Sequence, residues 1–150
     1  MKVIEAFGRK QPTLSFEFFP PRTEEQEKHL FWVIEKIKTF NPDFISVTYG
    51  AMGTSRDKTF FWVNEIKNTH RIEPVAHLTC VAATRDDIAG QLEELEKIGV
   101  ENILALRGDP PAGAEDFSPP PNGFKLAKEL IRFIKSRNNY RHTTDMLRIL

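Results

Sequence analysis

The stretch Pro74 to Leu106, PVAHLTCVAATRDDIAGQLEELEKIGVENILAL, decides the fold. It opens with an apolar, strand-like segment, Pro74 to Thr79, and closes with another, Asn102 to Leu106. Each is short and bounded by residues that punctuate strands. Between them Ile88, Leu92, Leu95 and Ile98 recur at the spacing of one helix face, with Thr84 placed to cap the helix start. This is a strand–helix–strand unit, which implies parallel strands joined by a right-handed crossover.

The same unit repeats toward the N-terminus. Leu14 to Phe18 (LSFEF) and Phe44 to Tyr49 (FISVTY) read as two earlier strands. A helix carrying Leu30, Val33, Ile34, Ile37 and Phe40 follows the first, with Thr23 and Gln26 resembling a capping box. A second helix covers roughly Lys58 to Asn68, and a fourth, about Phe124 to Ser136, carries Leu126, Leu130, Ile131 and Ile134. Strand centres at Phe16, Ser46, Ala76 and Leu104 are 30, 30 and 28 residues apart. An open doubly wound sheet and a (β/α)₈ TIM barrel both fit such α/β repetition. The regular period and the lack of a Gly-rich first turn favour the barrel, of which four units make half, since a whole one takes about 250 residues. After Ser136 the stretch Asn138 to Leu150 has no strand of comparable quality. The expected organisation is an N-terminal extension over residues 1–13, a half barrel over 14–136 and a divergent tail over 137–150. A half barrel leaves strand edges unpaired, so the expectation is a premature end or a partner, either a homo-oligomer or a complementing half.

Composition excludes several classes. The 21 Lys and Arg balance the 21 Asp and Glu, so there is no electrostatic footprint for nucleic acid. Cys80 is the only cysteine, which excludes an internal disulfide and a thiolate metal cluster. No signal-like leader and no run near the ~18 apolar residues of a membrane span are present. A cytoplasmic protein without membrane attachment is expected. The prolines around Pro119 read as a stiff connection rather than a polyproline ligand.

In barrels, working residues gather where strands end at their carboxyl side. Glu17, between Phe16 and Phe18, is the most informative: an apolar strand would desolvate its carboxyl, and desolvation favours the protonated form a general acid needs. An ion pair with Arg22, Arg56 or Arg107 is the structural alternative. His77 reads first as a hydrogen-bonded core histidine and only second as a catalyst, and without a second ligand at suitable spacing no metal site is expected. Thr48 and Thr79 read as ordinary strand residues, and Cys80 as a small buried hydrophobe. Arg107-Gly108-Asp109-Pro110 combines an anion-matching fork, room for a ligand and a fixed negative charge, or it is simply a turn. The loop Gly50 to Asp57 is either a ligand contact or a helix start with Asp57 as cap.

Taken in order, SFEFFPPR (Ser15 to Arg22), SVTYGA (Ser46 to Ala51), RDKT (Arg56 to Thr59), HLTC (His77 to Cys80) and LALRGDPP (Leu104 to Pro111) closely resemble the first half of methylenetetrahydrofolate reductases. The resemblance covers about Leu14 to Ser136. It implies FAD at the barrel's C-terminal rim and reduction of 5,10-methylenetetrahydrofolate to 5-methyltetrahydrofolate in one-carbon and methionine metabolism, with NADH or NADPH reducing the flavin first. It makes Glu17 the general acid that protonates N10 and opens the five-membered ring to an iminium cation, which then takes hydride from reduced flavin. It sets Asp109 near flavin and folate as a negative charge favouring that cation. It makes Thr48, His77, Arg107, Gly108 and Asp109 flavin-contacting positions, joined by Ala127 at the start of the fourth helix. Leu126 stands where the family often has Tyr, and the family's fifth strand with its Tyr-Pro-Glu-x-His-Pro motif is replaced by RNNYRHTTDMLRIL. A barrel handling pterins or phosphosugars is the remaining enzyme alternative; a non-catalytic remnant is the other.

Overall fold

A computed structural model describes residues 2–9, 12–49, 56–109 and 118–137. The Gly50–Ser55 part of the second loop, Pro110 and Pro111 of the fourth motif, and the tail beyond Arg137 lie outside the described residues.

Four strands form one parallel sheet in chain order: β1 (Ser15–Phe18), β2 (Phe44–Val47), β3 (Pro74–Thr79) and β4 (Ile103–Leu106). The helices α2 (Glu24–Ile37), α3 (Arg56–Asn64), α4 (Arg85–Ile98) and α5 (Ala127–Ser136) alternate with them. Sequential order in an all-parallel sheet is the arrangement of a (β/α)₈ barrel's first half; a doubly wound sheet would reverse its strand order at a switch point.

The sequence explains the local structure. Thr84 caps α4, its hydroxyl oxygen accepting from Asp87 N at 3.2 Å while Asp87 Oδ2 accepts from Thr84 N at 2.9 Å. Gly99 ends α4 at φ +85°, a left-handed conformation that glycine adopts at little cost. Thr23 caps α2 by accepting from Gln26 N, but the Gln26 side chain accepts from Arg22 N instead of closing the box. The second helix ends in a π turn, Glu65–Thr69. His70 follows it, with Nδ1 2.8 Å from Glu35 Oε1 on α2; that contact, with Lys38, holds the Glu35 carboxyl below its usual range.

Alternation divides the sheet into two faces. Ile45, Val47, Ala76, Leu78, Ile103 and Ala105 point to the helices and are buried with Leu30, Ile34, Trp62, Val63, Ile88, Leu92 and Leu95 in the main core. Glu17, Ser46, Thr48, His77 and Thr79 fall on the opposite face, which in a barrel is the inside.

A short helix, α1 (Val3–Phe7), was not expected within the 1–13 segment. It sits at the amino end of the strands, where Val3 N donates to Asn102 Oδ1 at 2.8 Å and Arg9 pairs with Asp43 at 3.0 Å. Val3 and Ala6 are buried. Asn102 is held in turn by Glu73, and Asp43 accepts from Leu14 N. This polar lacing fastens the pole opposite the candidate site. Among the described residues no helix is long and apolar enough to cross a membrane.

Candidate active site on the inner face and carboxyl rim

Glu17 sits on the inner face of the edge strand β1. Its register partner on β2 is Ser46, whose hydroxyl donates to Glu17 Oε2 at 3.0 Å. His77 Nε2 lies 3.3 Å from the same oxygen, at ion-pair distance but outside hydrogen-bond alignment. Among the described residues Glu17 meets a serine and a histidine rather than the expected Arg22 or Arg107; the Arg56 side chain lies outside the described residues. The expected burial is also absent. The Glu17 side chain is 53% exposed because its two Phe neighbours point to the other face, so they cannot desolvate it.

His77 itself is buried, its side chain 7% exposed. Burial lowers its pKa below the ordinary imidazole value, opposed by the charge and contact of Glu17. The unfolded chain therefore binds this proton more readily than the folded one. The stability tied to neutral His77 is complete above its unfolded pKa of about 6.5 and is lost as pH falls through the folded value. Urea unfolding midpoints measured from pH 8 to pH 5 should fall more for the parent than for His77→Gln. Equal pH slopes would remove this assignment.

Thr48 is also buried, and its hydroxyl oxygen has no partner among the described residues. Its carbonyl accepts from the hydroxyl of fully buried Thr59 at 3.1 Å. Lys58, beside Thr59, donates to Pro21 O at 3.1 Å and pairs with Glu27 at 3.0 Å. The RDKT and FFPPR motifs are therefore joined: Lys58 and Thr59 fix the loops that follow β1 and β2.

Arg107, Gly108 and Asp109 follow β4 on the carboxyl rim, and Arg107 and Asp109 are exposed. Arg107 Nε donates to Gly108 O at 3.3 Å. Gly108 has φ +83°, and a Cβ built there would overlap Val81 Cγ2, so this position demands glycine on both counts. Ala127 opens α5 on the same rim, and the Glu129 carboxylate accepts from Lys125 N and Leu126 N just before it. It belongs to this rim set, not to the Glu17–Ser46–His77 trio. The loops behind β3 and β4 are tied by a Thr84–Gly123 bridge and by Arg85 N donating to Asn122 O.

Cys80 is fully buried, and burial, helped by the charge of Glu129 against that of Arg107, pushes its thiol up to about 11. At pH 8 it should react with a disulfide reagent about a hundredfold more slowly in the folded chain than in denaturant. A native rate equal to the denatured one would contradict its placement.

Ser46 is a site residue that the sequence does not single out: aligning the strand centres Phe16 and Ser46 sets it beside the helix-facing Phe16, one residue off the observed register that places it opposite Glu17.

A parallel strand–helix repeat in chain order, with polar and ionisable groups on the inner face and carboxyl rim, is the first half of a (β/α)₈ barrel with a candidate site where barrel sites lie. The sequence matches the methylenetetrahydrofolate reductase family over residues 2–148, and the chain belongs to that family. It is 37% identical over 136 residues to "Methylenetetrahydrofolate reductase (NADH) 1" of Zea mays, covering 91% of this chain and 23% of that protein. It is 43% identical over 104 residues to the 5,10-methylenetetrahydrofolate reductase of Salmonella typhimurium, covering 69% of this chain and 35% of that protein. The Escherichia coli protein of the same name is 42% identical over an equal length. The match thus spans 23% to 35% of these relatives' own length.

Proposed function

We propose that the chain carries the proton-donating and flavin-facing part of a reductase that converts 5,10-methylenetetrahydrofolate to 5-methyltetrahydrofolate with FAD and NADH or NADPH. The observation that carries this reading is the inner-face carboxyl of Glu17, gripped through one oxygen beside buried Ser46 and His77. Family membership supports the substrate class.

The residues present fit a flavin. The buried Thr48 hydroxyl on the inner face lacks a partner among the described residues, an acceptor and donor open to a ligand. Thr48 and His77 would hydrogen-bond the ring system or ribityl chain, and Arg107, with Gly108 and Ala127, would serve the pyrophosphate side of the rim. When bound, the flavin supplies the hydride. Glu17 delivers a proton to folate N10, which weakens the ring C–N bond and leaves an iminium cation on the substrate. Asp109 adds a negative charge on the rim, and negative charge stabilises a developing cation.

The test is direct. Stoichiometric flavin absorbance in the purified chain, bleached by NADH or NADPH and restored by methylenetetrahydrofolate, would support the reading. A second reading, a split half completed in trans, rests on one observation: among the described residues β1 and β4 each pair on one side only. It expects a colourless chain that takes up flavin only after mixing with the remaining barrel of a bacterial relative. A chain that stays colourless in both preparations would sink both readings and leave a non-catalytic remnant.

A further inference from the structure

A glutamate at a half-exposed position has three side-chain torsions and ordinarily samples several rotamers. Glu17 is held instead by groups that cannot follow it. Ser46 is 8% exposed and lies directly across from it in the β1–β2 register. His77 is one same-face position further along β3, since Ser46 is paired with Val75. Both contacts fall on Oε2, and Oε1 takes neither of them.

This asymmetry has a chemical consequence. In a neutral carboxylic acid the carbonyl oxygen is the stronger acceptor, so a hydroxyl donating to one oxygen favours the acid's own proton on the other. We propose that Ser46 is a positioning residue that anchors Glu17 by Oε2, so that Oε1 is the oxygen that carries the transferable proton and faces the substrate. The proposal rests on the reading of Glu17 as the proton donor, but the hold of Ser46 on the carboxyl can be measured without catalysis. No bond is made or broken by Ser46; it fixes which oxygen is presented and in what direction.

His77 reports the hold. Among the described residues, Glu17 from β1 is the titratable group facing it on the inner face. β2 offers Ser46 and Thr48 there and β4 offers Leu104 and Leu106, while Arg107 and Asp109 lie beyond β4 on the rim. The Ser46 hydroxyl shares the charge of the carboxylate with the imidazole. Removing it strengthens the pull of Glu17 on a proton at His77.

The experiment is an NMR titration of His77 in the whole chain as it exists, for the parent, Ser46→Ala, Glu17→Gln and the double variant. Ser46→Ala should move the His77 titration up by a few tenths of a pH unit in the parent background and leave it unmoved in the Glu17→Gln background. Ser46→Thr keeps the hydroxyl and should titrate as the parent does. A shift of equal size in both backgrounds, no shift in either, or a Thr variant that behaves like Ala would overturn the proposal. Where flavin-dependent folate reduction is measurable, Ser46→Ala should lower kcat about tenfold with KM within about twofold, and Ser46→Thr should restore it. Absence of that activity both in the chain alone and after mixing with the remaining barrel of a bacterial relative, with the NMR coupling intact, would defeat the catalytic reading of Glu17 and leave the anchoring by Ser46 standing.

Discussion

If the proposed function holds, Glu17→Gln in a chain completed to the full barrel is expected to lower folate reduction by about 10²–10⁴-fold while NADH or NADPH still bleaches bound flavin, because a general acid supplies an effect of that size to the step it serves. Glutamine has the same length, and its amide oxygen can accept from Ser46 Oγ as Glu17 Oε2 does at 3.0 Å. The fold should therefore be spared. What is lost is a proton that can leave, since an amide is not an acid near neutral pH. Flavin reduction requires no proton from this position, so the two half-reactions should separate. The same variant makes a prediction at His77. Both influences of Glu17 on that imidazole raise its pKa, against the larger effect of burial. Removing the carboxylate should lower the His77 titration further, which an NMR pH series reads directly. Parental folate reduction in the variant would dismiss Glu17 as the acid, and an upward movement of His77 would contradict the contact itself.

The exposure of Glu17 shows where sequence reading stops. Phe16 and Phe18 are its neighbours along the chain, but a strand sends them to the helix-facing side and Glu17 to the other. Desolvation of a side chain is decided by residues two apart and by the adjacent strands. In the described residues Glu17 meets Ser46 and His77 and remains half exposed. The strand's own phenylalanines therefore do not desolvate Glu17, and its sequence neighbours do not decide its environment.

The βα repeat was legible because its cues are local. Pro74 to Thr79 matches the observed strand residue for residue, and the other three strands differ by one or two residues at an end. Thr84 caps α4 as its position before an amphipathic run indicates. Cys80 was rightly taken for a buried hydrophobe. The elements that escaped are those whose reason is distant. Helix α1 is five residues long, too short for a periodic face, and Val3 N is held by Asn102, 99 residues away. Lys58 and Thr59 sit in a recognisable motif, but their roles as struts to Pro21, Glu27 and Thr48 depend on the packing of α3 against the rim. The candidate site was legible as motifs in order; the grip of Ser46 on one carboxylate oxygen required the register between β1 and β2.

Trp62→Ala is expected to destabilise the fold by about 3–5 kcal/mol, the range for a large buried aromatic cut to a methyl. Trp62 on α3 is 0% exposed, packs on Phe31 of α2 at a centroid distance of 4.6 Å and meets Phe61 edge-on at 5.6 Å. It joins the two helices that carry the loops behind β1 and β2, so its loss opens a cavity directly beneath the rim that holds Lys58 and Thr59. Trp62→Phe should cost much less than half as much. Its smaller ring leaves a smaller void, and it also removes an indole N–H that is buried without a partner among the described residues. An unmet buried donor carries a penalty of about 1–3 kcal/mol, so deleting it offsets part of the packing loss. Chemical denaturation of the three proteins would decide the matter. If Phe proves as costly as Ala, the indole N–H has an acceptor after all. If Ala costs less than about 1 kcal/mol, Trp62 is not the wedge between α2 and α3 that its burial implies.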